Sequence, residues 1–184
     1  MSDEFAGRVV LVTGAARGLG RATAQEFLAR GASVAVNVRT ADRAEALARE
    51  LGDSAFGVAG DLSDAAQAGA IVRRTTDHFG RLDILVNNAA VAYSTKIPEI
   101  VDREWRETLD VNLTAAFFCL QSALPAMTAQ KYGRIVNVSS TAGRSVSTLA
   151  GAHYTASKAG LIGLTRHAAR ELGPLGITVN AICP

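Results

Sequence analysis

Six short apolar runs punctuate the chain, and a segment with helical spacing follows each of the first five. "RVVLVTG", "ASVAVNV", "SAFGVAGD", "LDILVNNAA", "GRIVNVSS" and "GITVNAICP" are strand-sized and rich in β-branched residues. Between them lie "LGRATAQEFLARG", "TADRAEALARELG", "AAQAGAIVRRTTDHFG", a long stretch from "DREW" to "MTAQ", and "HYTASKAGLIGLTRHAARELG". Strands that alternate with helices of this length predict βαβ units and a parallel sheet. Right-handed crossovers then bury helices on both faces. The expectation is one doubly wound α/β domain over residues 1–184, with Pro125 kinking or restarting the long helix.

Composition narrows the partners. Apolar residues make up 48% and charged residues 20% of the chain, a globular profile. The net charge of +2 comes without a Lys/Arg-rich block, which argues against nucleic acid or an acidic membrane surface. Cys119 and Cys183 have no partner spacing and read as reduced core thiols. His78, His153 and His167 lack metal-ligand spacing, so no metal site is expected. His153 reads as a solvated helix-start residue or part of a site entrance. The acidic opening "MSDEF" is unlike a signal peptide, and no apolar run reads as long enough to span a membrane. The default location is the cytoplasm.

In doubly wound sheets ligands bind at the carboxyl ends of the strands. The polar residues that stand out fall there: Gly14 to Gly20, Asn87 to Ala90, and Ser139-Ser140. "TGAARGLG" follows the first strand and opens a helix. Residues without a Cβ let backbone N–H groups approach a pyrophosphate, and the helix N-terminus adds partial positive charge. Downstream, "YTASK" sets Tyr154 and Lys158 four apart on one helix face. A free tyrosine ionises near pH ~10, and a fixed cation beside a phenol favours its ionised form.

The spacing G-x-x-x-G-x-G, with "NNAA", "VNVSS" and "YTASK" following in that order, resembles the classical short-chain dehydrogenases/reductases. The resemblance runs from about residue 6 to residue 184 and is nearest to the 3-oxoacyl-acyl-carrier-protein reductases. It implies a Rossmann-type sheet and a nicotinamide cofactor held by Gly14, Arg17, Gly18, Leu19, Gly20, Arg39, Asp61, Leu62, Asn88, Ala89 and Ala90. It implies Tyr154 as general acid/base and cofactor contact, Lys158 as its cation and a ribose ligand, Ser140 as donor to the substrate carbonyl, and Asn112 as support for a water chain. Ser139 competes with Ser140, but Gly143 has the family spacing from Ser140. Val38 stands where an acid would read the ribose diol of NAD, and Arg39 and Arg17 suit a 2′-phosphate. NADP(H) is therefore favoured, with NAD(H) the other possibility. Asp61 could instead be a helix cap or turn residue.

The family continues beyond "NAICP" with a substrate loop and a final strand, so a fragment with one exposed sheet edge is expected. Tyr93, Thr95 and "RSVSTLAGA" are candidate substrate contacts. The implied substrate is a small-molecule carbonyl or acyl thioester, and a homo-oligomer, dimer or tetramer, is expected. Competing functions are a polyol, sugar or secondary-alcohol dehydrogenase, or a silent nucleotide-binding module.

Overall fold

The computed structural model describes residues 3–184; Met1 and Ser2 of the acidic opening lie outside the described residues. Six parallel strands form one sheet in the order β3-β2-β1-β4-β5-β6. They are β1 (Val9–Val12), β2 (Ser33–Val38), β3 (Ala55–Ala59), β4 (Ile84–Asn87), β5 (Gly133–Val138) and β6 (Ile177–Ile182). The helices are α1 (Gly18–Ala29), α2 (Ala41–Leu51), α3 (Ala65–Phe79), α4 (Asp102–Leu109), α5 (Ala115–Gln130) and α6 (Ala152–Leu172). This is the doubly wound Rossmann-type architecture expected from the alternating pattern.

The first strand shows why the runs are apolar throughout. Val9 and Leu11 face a core with Ile71 and Val72 of α3 and Cys119 of α5. Val10 and Val12 face the opposite core with Ala24 of α1 and Leu47 of α2. A strand covered on both faces has no solvent side to supply polar alternation. The chain order reverses between β1 and β4, which are hydrogen-bonded neighbours in register Val10 to Ile84. A crevice opens at such a reversal, above the carboxyl ends of the strands. At the other end of the order, β6 pairs only with β5 and is an edge.

Two expectations about the long helix need correction. It runs through Pro125 without interruption; its irregular turn lies earlier, at Asp110–Thr114, where the hydrogen bonds widen to a π-turn. This stretch, Asp102–Gln130, is also long and apolar enough to cross a membrane, with a mean hydropathy of 1.2 in its best window. Here it lies against the sheet and α3, and Ala115, Cys119, Ala123 and Met127 are buried.

Candidate active site

The glycine loop is held by its neighbour strand. Gly14 has φ +64°, and a Cβ there would sit 2.7 Å from the Ala89 Cα. The position thus demands glycine twice, by conformation and by close approach. The Thr13 hydroxyl accepts from the Asn88 and Ala89 backbone N–H groups at 2.9 and 3.1 Å. The Asn88 amide donates in return to the Thr13 and Gly14 carbonyls at 2.9 and 3.2 Å. Ends of β1 and β4 are thereby locked together at the crevice. Arg17 is the N-cap of α1 and provides no side-chain cap, so the first N–H groups of that helix keep their donor capacity toward the crevice.

The crevice is a cleft of about 470 Å³ lined by Gly14, Arg17, Gly18, Val38, Arg39, Asp61, Leu62, Asn88, Ala89 and Ala90 among others. Nine of the sequence-predicted cofactor residues therefore converge, while Leu19, Gly20, Tyr154 and Lys158 lie outside its lining. Gly20 is buried beneath the loop, and the Leu19 side chain points into a separate groove with Phe5 and Phe27. Asp61 is a turn residue: its carboxylate accepts from the Ser63 N–H and hydroxyl, while Asp64 caps α3. The hydrogen bond from the Ser63 backbone holds the Asp61 carboxyl below the usual range, with smaller help from the Ser63 hydroxyl and Arg39. Arg39 Nε reaches Asp61 Oδ2 at 3.3 Å across the rim.

Sequence reasoning missed Arg43 and Asn37, which also line the cleft. Arg43 lies on α2 four residues after Arg39, and it reads from sequence as a solvated helix charge. The four-residue spacing was the available signal. Asn37 lies inside a strand pattern, and its buried amide donates to the Val58 and Gly60 carbonyls at 3.1 and 3.3 Å.

Beyond Ala90 the other residues gather on three elements. Asn112 sits in the wide turn, buried to 1% exposure. Its Oδ1 accepts from the Val91 N–H at 2.8 Å, and its Nδ2 donates to the Val91 carbonyl and to Ser157 Oγ at 2.9 and 3.1 Å. It ties the segment after β4 to α6. The two serines separate clearly. Ser139 is buried and its hydroxyl donates to the Lys158 carbonyl at 2.9 Å. Ser140 is half-buried and caps the short turn Thr141–Gly143 by accepting from the Ala142 N–H.

Lys158 is 2% exposed, and its ammonium donates to the Val138 carbonyl at 2.7 Å. Burial pushes it down from 10.5 to about 8. Its Nζ lies 5.6 Å from the centre of the Tyr154 ring. Below the site a buried ladder crosses the sheet: Asn87 Nδ2 donates to Asn137 Oδ1, and Asn137 Nδ2 to Thr165 Oγ1, both at 2.9 Å. One further expectation is corrected: His153 is wholly buried, because Tyr93 and Gly151 close over its ring.

The chain matches the short-chain dehydrogenase family profile over residues 8–184. It is 42% identical to the 3-oxoacyl-acyl-carrier-protein reductase FabG of Staphylococcus aureus, over 95% of this chain and 72% of that one. It is 39% identical to the corresponding reductase of Synechocystis, over 96% of this chain and 73% of that one. The BbsD subunit of a hydroxy(phenyl)methylsuccinyl-CoA dehydrogenase of Thauera aromatica is also 39% identical, over 96% and 72%. A solved structure from Sinorhizobium meliloti, described as a short-chain alcohol dehydrogenase, superposes with a TM-score of 0.92 at 35% identity, over all of this chain and 74% of that one. The fold, the cleft and these likenesses agree: the chain belongs to the short-chain dehydrogenase family of NAD(P)-dependent oxidoreductases.

Proposed function

We propose that the chain reduces the 3-keto group of an acyl thioester with NADPH, using Tyr154 as the proton donor. The observation that carries the reading is the pairing of Tyr154 with the buried Lys158 ammonium, one turn along α6. The likenesses to FabG and to BbsD support the substrate class, since both are named for acyl-thioester substrates.

The residues lining the cleft fit a dinucleotide. Gly14 and the open first turn of α1 suit its pyrophosphate; the ribose role of Lys158, which lies outside that lining, rests on the family resemblance. Arg17, Arg39 and Arg43 suit a 2′-phosphate, because a guanidinium offers a charged fork to phosphate oxygens. Bound there, the nicotinamide would supply the hydride to the carbonyl carbon. Ser140 donates a hydrogen bond to the carbonyl oxygen as negative charge grows on it. Tyr154 gives its hydroxyl proton to that oxygen and becomes a phenolate beside the Lys158 ammonium. A proton from solvent restores the phenol. Asn112 holds Val91 and α6 at a fixed separation around this group. One Rossmann unit thus carries both the cofactor cleft and the catalytic residues. We also read the protein as a cytoplasmic homo-oligomer; exposed Trp105 and Phe117 offer apolar surface for self-association.

Turnover of a short 3-oxoacyl-CoA, followed by loss of NADPH absorbance with NADH in parallel, tests the reading. Tyr154→Phe is expected to lower kcat by about 10²–10⁴-fold, the usual worth of a positioned acid, while NADPH binding by fluorescence persists. Wild-type rates no higher than the variant's would overturn it. The likeness to BbsD favours one second reading, oxidation of a 3-hydroxyacyl thioester or another secondary alcohol. Faster turnover of the 3-hydroxyacyl-CoA with an oxidised cofactor would select it.

A further inference from the structure

His153 is fully shielded from solvent, yet only one of its nitrogens has a protein partner. The Tyr154 backbone N–H donates to Nδ1 at 3.0 Å while sharing its proton with the Gly151 carbonyl at 3.1 Å. A nitrogen that accepts carries no proton, so the neutral ring holds its proton on Nε2. That buried Nε2 has no partner, and among the described residues one other buried side-chain atom is in the same position, Glu104 Oε2. One is a donor and the other an acceptor. Leaving each unmade would cost the desolvation of a buried polar group with nothing to offset it.

The helices bring the two elements together. Thr108 Oγ1 donates to the Glu104 carbonyl at 2.7 Å, so Glu104, Thr108 and Asn112 follow one another along one face at four-residue spacing. Asn112 Nδ2 donates to Ser157 Oγ, which fixes that face against α6. His153 lies one turn before Ser157, and α4 packs on α6. Tyr93 closes the group: its ring centre is 5.8 Å from that of His153, and its hydroxyl donates to Glu107 at 2.7 Å. That bond, then burial and the Glu107 and Glu104 charges, hold the Tyr93 phenol above its ordinary value. Gly151 leaves the room required. A Cβ there would come within 2.6 Å of the His153 ring and 2.5 Å of the Thr95 carbonyl.

We propose that His153 is a positioning residue: Glu104 holds its Nε2–H through one water, and its Nδ1 holds the Tyr154 amide. Helix α4 thereby sets where the first turn of α6 places the Tyr154 hydroxyl. The inference rests on the reading of Tyr154 as proton donor, but its test separates the two.

Nitrogen-15 NMR of the full chain, with the His153 signal assigned by its loss in His153→Asn, is expected to show a neutral ring protonated on Nε2. A ring protonated on Nδ1 overturns the proposal whatever the turnover. In kinetics, His153→Leu is expected to lower kcat by about tenfold or more, as small misplacements of a reacting group do, with NADPH affinity held. His153→Asn, which keeps an acceptor on the Nδ1 side, should restore most of kcat. Glu104→Leu should fall as His153→Leu does, Glu104→Gln should not, and the double Leu variant should be no worse than either single. Unchanged kcat in His153→Leu, or additive losses in the double variant, overturns it. Should His153→Leu fail to fold by circular dichroism, the wild-type tautomer and its loss of Nε2–H shielding in Glu104→Leu still decide. A wild type without thioester turnover would remove the proposed function alone, leaving the NMR arm to judge His153.

Discussion

The two ends of the sheet each bury a charge and treat it in opposite ways. At the amino end Asp83 is fully buried, yet it receives hydrogen bonds from Arg8, from Arg81 through two nitrogens, and from the Val9 N–H, at 2.7–2.9 Å. Burial alone would raise this carboxyl, but the bonds from Arg81, Val9 and Arg8 outweigh it and hold the group below the usual carboxylate range. At the carboxyl end Lys158 is as deeply buried and has one carbonyl, Val138, as its partner. It stays a strained cation pushed down to about 8. The satisfied charge belongs to the end that only has to hold strands together. The under-satisfied one lies beside the Tyr154 ring, where the proposed mechanism forms a phenolate.

Three variants break or sharpen that contrast. Asp83→Ala removes the acceptor of the Val9 N–H and the shared anion of two part-exposed guanidiniums that can return to water, and is expected to cost about 3 kcal/mol, the upper worth of a hydrogen bond to a charged group; urea unfolding measures it. The wild-type share of that stability is full above pH ~4, the ordinary carboxylate value, and is lost as pH falls through the lower folded value. Lys158→Met should behave in reverse. The folded lysine binds its proton less well than the unfolded one, so wild-type stability rises as pH climbs from about 8 to 10.5. The wild type should therefore gain on Lys158→Met by roughly 3 kcal/mol across that window, at ~1.4 kcal/mol per unit, although the variant loses activity. A flat difference would mean the ammonium is better solvated than its burial indicates. Gly14→Ala is the mildest, at about 1–3 kcal/mol for a left-handed non-glycine residue. Its Cβ also presses on Ala89, so cofactor affinity should drop with stability.

The sheet was legible because periodicity survives in single segments: each β-branched run, each helical stripe and each closing glycine became the expected element. The glycine loop at the crevice was legible for the same reason, since Gly14, Arg17 and Gly18 adjoin in sequence. What stayed hidden depends on contacts between distant segments. His153 looks like a solvent-facing helix start until Tyr93 and Gly151 close over it. Arg43 looks like any helix charge until α2 sets it over the cleft. That the Ser139 hydroxyl is spent on the Lys158 carbonyl, nineteen residues away, could not be read from the adjacent pair of serines. Pro125 predicted a break that α5 does not make, while the wide turn at Asp110–Thr114 has no proline or glycine to mark it.

The buried ladder of Asn87, Asn137 and Thr165 has a consequence for folding. Asn87 and Asn137 stand directly opposite one another in the register of β4 and β5. Slipping one strand by a single residue would turn one of these amides to the other face and strand both in an apolar interior. Parallel neighbours rich in valine and isoleucine would otherwise zip together in several alignments of similar energy. Two asparagines and a threonine thus act as a checksum on assembly, weighting the alignment that builds the crevice over its one-residue slips.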